Sequence, residues 1–349
     1  MVTKLDIIAS FDPSEVGLEN GNLFGFPFTY ETADIIVLGV PWEVSVSYGA
    51  GTAQGPQAIL EASPQLDFYD LDNPTGWQQG IFMLPIASEL ISQNAALRAK
   101  AAQIIAGQEQ GVQIAADDAL ASALAEVNRG CDRMNQWVFQ QSQQALRQQK
   151  KVAVIGGDHS VPLGYLQALG EQYAEFGVLH IDAHADLRRA YEGFEFSHAS
   201  IMYNALQMPQ IVKLAQVGLR DVSPAEVQLA EASDGRAVMH FDAVLKQQRY
   251  GGTPWLTLCQ KIVADLPQQV YISFDVDGLD PKLCPRTGTP VPGGLEIEEA
   301  YCLCREVVRS GREIVGFDLC EVGPDSWDGN VGARIVYKLC NLMGLSGRA

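Results

Sequence analysis

The sequence predicts an α/β protein, a mainly parallel sheet with helices on both faces. Two observations carry this. Short apolar, β-branched runs recur along the chain, each ending in polar or glycine residues, and amphipathic stretches lie between them. Near-continuous apolar runs of this length suit strands buried on both faces.

The first run covers residues 34–40 (DIIVLGV), and a weaker one covers 82–85. A long helix follows over 118–149, because Leu120, Leu124, Val127, Cys131, Met134 and Val138 recur at three-to-four spacing along one face. Strands then fall at 152–156, 177–182, 212–219, 237–242, 270–277 and 313–321. Helices are expected over 162–176, 255–266, 297–310 and 331–345. Residues 89–117 are Ala/Gln-rich and polar, and read as a surface helical insertion.

With 349 residues, 47% hydrophobic and 19% charged, the chain can bury a large core. No linker, repeat or low-complexity tract divides it. Residues 34–349 therefore read as a single domain behind an N-terminal extension, 1–33. The formal net charge of −18 repels phosphate backbones and argues against a nucleic-acid partner. It attracts metal ions and small guanidinium or amine cations, although solubility alone would account for such a surface. Seven cysteines without a CxxC pair make neither a disulfide framework nor a zinc ribbon. No signal-peptide pattern opens the sequence, and no run approaches about 18 apolar residues. A cytoplasmic protein that does not span a membrane is expected.

In such sheets ligands bind outside the C-terminal strand ends, where three polar clusters fall. In Gly156-Gly157-Asp158-His159-Ser160 the glycines allow a sharp turn that leaves His159 at a strand mouth. Taken alone, a histidine there is more often a hydrogen-bonded structural group. In Asp182-Ala183-His184-Ala185-Asp186 the alternating side chains of an extended segment project to one side. Grouping two carboxylates with an imidazole costs repulsion and desolvation unless a cation neutralises them. Asp275 and Asp277 share a face in the same way. Asp280 breaks the EF-hand spacing and, preceding Pro281, shapes a turn.

Together His159, Asp182, His184, Asp186, Asp275 and Asp277 form a carboxylate–imidazole set suited to Mn2+ and also to Ni2+, Co2+ or Fe2+. Thiolate is absent, which excludes a structural zinc site. Bridging aspartates suit two divalent ions about 3.5–4 Å apart, which acidify a shared water and clamp a carbon as it becomes tetrahedral.

The segments GGDHS, DAHAD and SFDVDGLDP resemble the ureohydrolase family of arginases, agmatinases, guanidinobutyrases, guanidine hydrolases and formimidoylglutamases. The likeness runs from about residue 34 to the C-terminus and is strongest over 152–321. It implies an arginase-like three-layer α/β/α sandwich around a mainly parallel eight-stranded sheet. It also implies cleavage of a guanidino compound to urea and an amine. His159, Asp182, Asp186 and Asp275 would hold one ion, and Asp182, His184, Asp275 and Asp277 the other, with Asp182 and Asp275 bridging. Glu321 resembles the carboxylate that pairs with the guanidinium, a planar acceptor for a planar cation. His198 resembles the histidine that shuttles a proton to the leaving amine. His180 and His240, inside apolar strands, read as structural. Members often form trimers or hexamers, so a homo-oligomer is expected.

The loop Leu187-Arg188-Arg189-Ala190-Tyr191-Glu192-Gly193 looks like that of bacterial agmatinases rather than arginases. Arg188 or Arg189 either binds a substrate carboxylate or is solvated or salt-bridged. Residues 39–56 resemble the family's early GVP…PGxxxGP loop, with Trp42-Glu43 in place of Phe/Tyr-Asp. Trp42 and Tyr48 either line a cation pocket or pack. Agmatine, giving putrescine and urea, leads the candidate substrates. Arginine, guanidinobutyrate, guanidine and formiminoglutamate are the alternatives, and an inactive metal-binding regulatory subunit is the non-enzymatic one.

Overall fold

A computed structural model describes residues 2–347. Its strands are β1 (Ile35–Val40), β2 (Ile81–Met83), β3 (Lys151–Gly156), β4 (Phe176–Ile181), β5 (Ile211–Leu219), β6 (Ala237–Phe241), β7 (Gln269–Asp275) and β8 (Glu313–Cys320). They form one eight-stranded sheet in the order β2-β1-β3-β8-β7-β4-β5-β6. Every pairing is parallel, so the sheet is wholly rather than mainly parallel. The weak run at 82–85 is a real edge strand of three residues, Ile81–Met83.

The helices are α1 (Lys4–Ser10), α2 (Gly55–Ala62), α3 (Ser88–Glu109), α4 (Asp118–Arg147), α5 (Leu163–Gln172), α6 (Ile201–Ala205), α7 (Pro224–Glu231), α8 (Asp242–Tyr250), α9 (Trp255–Ala264), α10 (Ile297–Arg309) and α11 (Ser326–Leu345). They pack as α3-α4-α5 and as α2-α11-α10-α9, which makes the two outer layers. α11 starts earlier than the apolar periodicity suggests, because the Asp325 side chain accepts the N–H groups of Trp327 and Asp328 and caps it. α3 is not a polar appendage. Leu90, Leu97, Ala101, Ile104 and Ile105 bury one face, and Leu97 packs where Gly130 of α4 leaves room. Residues 2–33 join the same core through Phe11, whose ring lies 5.4 Å from that of Trp77.

Central strands β4, β7 and β8 are buried almost end to end. β3 and β4 follow each other in sequence, yet β8 and β7 lie between them. This reversal of strand order opens a crevice at the C-terminal ends, where such sheets bind ligands. Among the described residues no helix is long and apolar enough to cross a membrane.

Candidate metal centre

After β3 the chain turns through Gly157, where any side chain would strike the Trp42 backbone. The turn buries His159, whose backbone N–H donates to Glu321 Oε1 at 3.1 Å. His159 Nδ1 faces Asp182 Oδ2 at 3.1 Å and Asp186 Oδ2 and Asp275 Oδ2 at 3.3 Å each. His184 Nδ1 lies 3.0 Å from Asp277 Oδ2 and 3.4 Å from Asp182 Oδ1. The six side chains singled out from the sequence thus meet in one continuous cluster, with Asp182 common to both histidines.

Two segments reach this arrangement differently from the extended geometry expected. Asp186 adopts φ 53°, a left-handed turn, and so points at His159 instead of continuing the alternation. Asp275 ends β7 and accepts the Asp277 N–H at 2.8 Å, which starts a single 3-10 turn over Val276–Gly278. Asp280 shapes the next turn, its Oδ1 accepting the Lys282 N–H at 3.1 Å.

The electrostatics call for cations. Burial and the Asp182 charge push the Asp186 carboxyl up to about 6. Burial, with Asp277 and Asp182, lifts Asp275 well above the carboxylate range. Burial opposes charge on His159, yet hydrogen bonds to Asp182, Asp186, Asp275 and Asp318 raise its pKa well above the usual value. A divalent ion would replace those protons and relieve the crowding, so the donor set fits a metal. Cys320 Sγ lies 3.5 Å from Asp318 Oδ1, and burial and Asp318 raise its pKa well above the usual thiol value.

Glu321 follows β8 with φ 64°. Its Oε2 is buried and has no partner among the described residues. A side chain at Gly288 would come within 2.9 Å of that oxygen. His198 lines a cavity of about 170 Å³ with His184, Asp186, Arg188, Tyr191 and Asp221. Burial and the His184 and His159 charges lower the His198 pKa to about 4, which leaves the ring neutral near pH 7.

Two further residues touch the cluster. His180 Nε2 lies 2.8 Å from Asp182 Oδ2. Ser273 Oγ is 2.8 Å from His159 Nε2. Each sits two positions before a predicted ligand on the same strand, so the period-two rule could have found both. Arg188 stacks over Tyr191 at 5.0 Å and its Nε lies 3.9 Å from Glu226 Oε2. Trp42 is wholly buried in the core, whereas Tyr48 is exposed. Glu43 folds its own loop, its Oε2 accepting the Gly51 N–H at 2.6 Å and the Ala53 N–H at 3.1 Å.

Buried carboxylates and imidazoles gathered at the strand ends of a parallel sheet are the arrangement that a metal-using α/β hydrolase requires. The sequence matches the Arginase family over residues 33–343. It is 32% identical to the N(1)-aminopropylagmatine ureohydrolase of Thermus thermophilus, over 90% of this chain and 92% of that one. It is 28% identical to the agmatinase of Pyrococcus horikoshii, over 90% and 93% of the two chains. The solved agmatine ureohydrolase of Thermoplasma volcanium shares the fold, with a TM-score of 0.70 at 21% identity over 98% of each chain. This chain belongs to the arginase family and is a hydrolase of C–N bonds in linear amidines.

Proposed function

We propose that the chain cleaves agmatine to putrescine and urea. The observation that carries this is the buried, unpartnered Oε2 of Glu321 at the edge of the His/Asp cluster. A buried carboxylate oxygen without a donor is costly, and a planar guanidinium supplies paired N–H donors in matching geometry. His159, Asp182, Asp186 and Asp275 would hold one divalent ion, and Asp182, His184, Asp275 and Asp277 the other, Mn2+ first and Ni2+ second. When bound, such a pair would supply an acidified water as the nucleophile. Glu321 orients the guanidinium, and His198 carries a proton to the departing amine nitrogen.

The far end of the substrate is read as cationic for two reasons. Arg188 stacks on Tyr191 and lies 3.9 Å from Glu226, which partly offsets its charge at the cavity. Asp221 stands at the cavity rim with its carboxylate exposed. The T. thermophilus relative is named for aminopropylagmatine, and the open rim suits that longer amine as a second substrate. Urea release from agmatine, aminopropylagmatine, arginine, guanidinobutyrate, guanidine and formiminoglutamate, with Mn2+ and Ni2+ in parallel, tests the reading. Preference for a guanidino acid would overturn it.

A homo-oligomer, trimer or hexamer, is part of the same proposal. Exposed Tyr69, Leu71 and Trp327 line one groove and support it, since clustered exposed apolar side chains mark contact sites. Sedimentation velocity measures the state.

A further inference from the structure

Ser45 is buried in the loop after β1. Its Oγ accepts the His198 backbone N–H at 3.2 Å and lies 3.3 Å from Nδ1 of the same ring. On its other side Asp158 Oδ2 stands at 3.4 Å, with no other donor among the described residues. The loop is held from outside the site as well: the Glu43 N–H donates to Asn94 Oδ1 of α3 at 2.8 Å.

A hydroxyl has one proton to give and two lone pairs. Its proton goes to Asp158, an acceptor. One lone pair takes the His198 N–H, which leaves the other facing Nδ1. A hydrogen bond at that position requires Nδ1 to be the donor. Which ring nitrogen carries the proton is set in this way by the bond the other nitrogen makes.

We propose that Ser45 is a positioning residue for His198: it clamps the histidine through its amide and its ring, keeps the proton on Nδ1, and leaves Nε2 as the nitrogen that exchanges protons. This rests on the reading of His198 as the proton carrier. Tyr191 meets the ring edge-on at 6.2 Å and limits its rotation from another side. Asn94 acts one step further out, and α3 thereby reaches the chemistry without touching substrate.

The test is a double-mutant cycle in the metal-loaded enzyme. Ser45→Ala is expected to lower kcat about tenfold or more, a part of the roughly 10²–10⁴-fold worth of a positioned proton carrier. KM and metal content should stay as in the wild type, and Ser45→Thr should restore the rate. In a His198→Ala background Ser45→Ala should cost nothing further, because its effect runs through the ring. An unchanged kcat, or the same loss in the His198→Ala background, overturns the proposal. A second readout needs no substrate. The 15N shifts of His198 in the Zn2+-loaded protein should report the Nδ1–H tautomer, lost in Ser45→Ala; an Nε2–H tautomer in the wild type overturns the inference. If no guanidino compound releases urea, the proposed function fails while the tautomer measurement still decides this one.

Discussion

His180 Nε2 donates to Asp182 Oδ2 across 2.8 Å, while Gln216 Nε2 donates to His180 Nδ1 at 2.9 Å. The glutamine keeps the imidazole proton on Nε2, and that proton fixes one oxygen of the carboxylate that faces both His159 and His184. A histidine inside an apolar strand thus orients the centre rather than only filling the sheet.

Replacing this partner should weaken metal binding without unfolding the chain. Outer partners of metal ligands are commonly worth about 10–100-fold in affinity, and His180→Ala is expected within that range. Isothermal titration calorimetry with Mn2+ measures it. Affinity equal to the wild type would return His180 to a packing role.

The contribution of the His/Asp cluster to metal-free stability should fall as pH rises, against the opposite trend of His198, whose pKa is lowered to about 4. Asp186 has its folded pKa raised from 3.8 to about 6, so the folded state favours the protonated acid. That stability is complete below about pH 4 and is lost on the way to about pH 6. His159, raised above 6.5, contributes stability that is present below 6.5 and is lost as pH rises further. Bound ions substitute for these protons, so the gain in Tm on adding Mn2+ should grow between pH 5 and pH 8. Saturation at 100 Kd is worth about 2.7 kcal/mol. Differential scanning calorimetry with and without EDTA checks this, and a metal-induced gain that shrinks with pH would contradict it.

Much of this was legible in the sequence, for physical reasons. Strands buried on both faces read as unbroken apolar runs, so β1, β3, β4, β7 and β8 stand out. The carboxylates at their ends are conspicuous because such charge beside a core is costly unless compensated. α3 was harder, since its apolar residues are spread among alanines and glutamines and its burial depends on Gly130 across the interface. The turns at Asp186 and Asp277 were not legible, because local backbone geometry there departs from strand periodicity. The Ser45–His198 contact joins residues 153 positions apart, beyond any local pattern.

Glu321→Gln should raise KM for the guanidino substrate and lower kcat/KM. A hydrogen bond to a charged group is worth about 1.5–3 kcal/mol, or roughly 10–150-fold in kcat/KM. Gly288→Ala should act in the same direction, because its methyl would lie 2.9 Å from Glu321 Oε2. Steady-state kinetics at constant metal content tests both. A Glu321→Gln enzyme with wild-type KM would dissociate Glu321 from substrate.

His198→Ala should slow turnover by about 10²–10⁴-fold and keep its metal. Plasma emission analysis of the dialysed protein separates the two effects. Loss of metal would make His198 a ligand instead of a proton carrier.

The most direct test of the whole account is anomalous diffraction at the manganese edge from crystals of the loaded protein. Two peaks are predicted, one beside His159 and one beside His184, with Asp182 and Asp275 reaching both, and Asp182→Ala and Asp275→Ala should lose them together with urea release. A single peak, peaks elsewhere, or full activity in either variant would contradict a paired-ion centre.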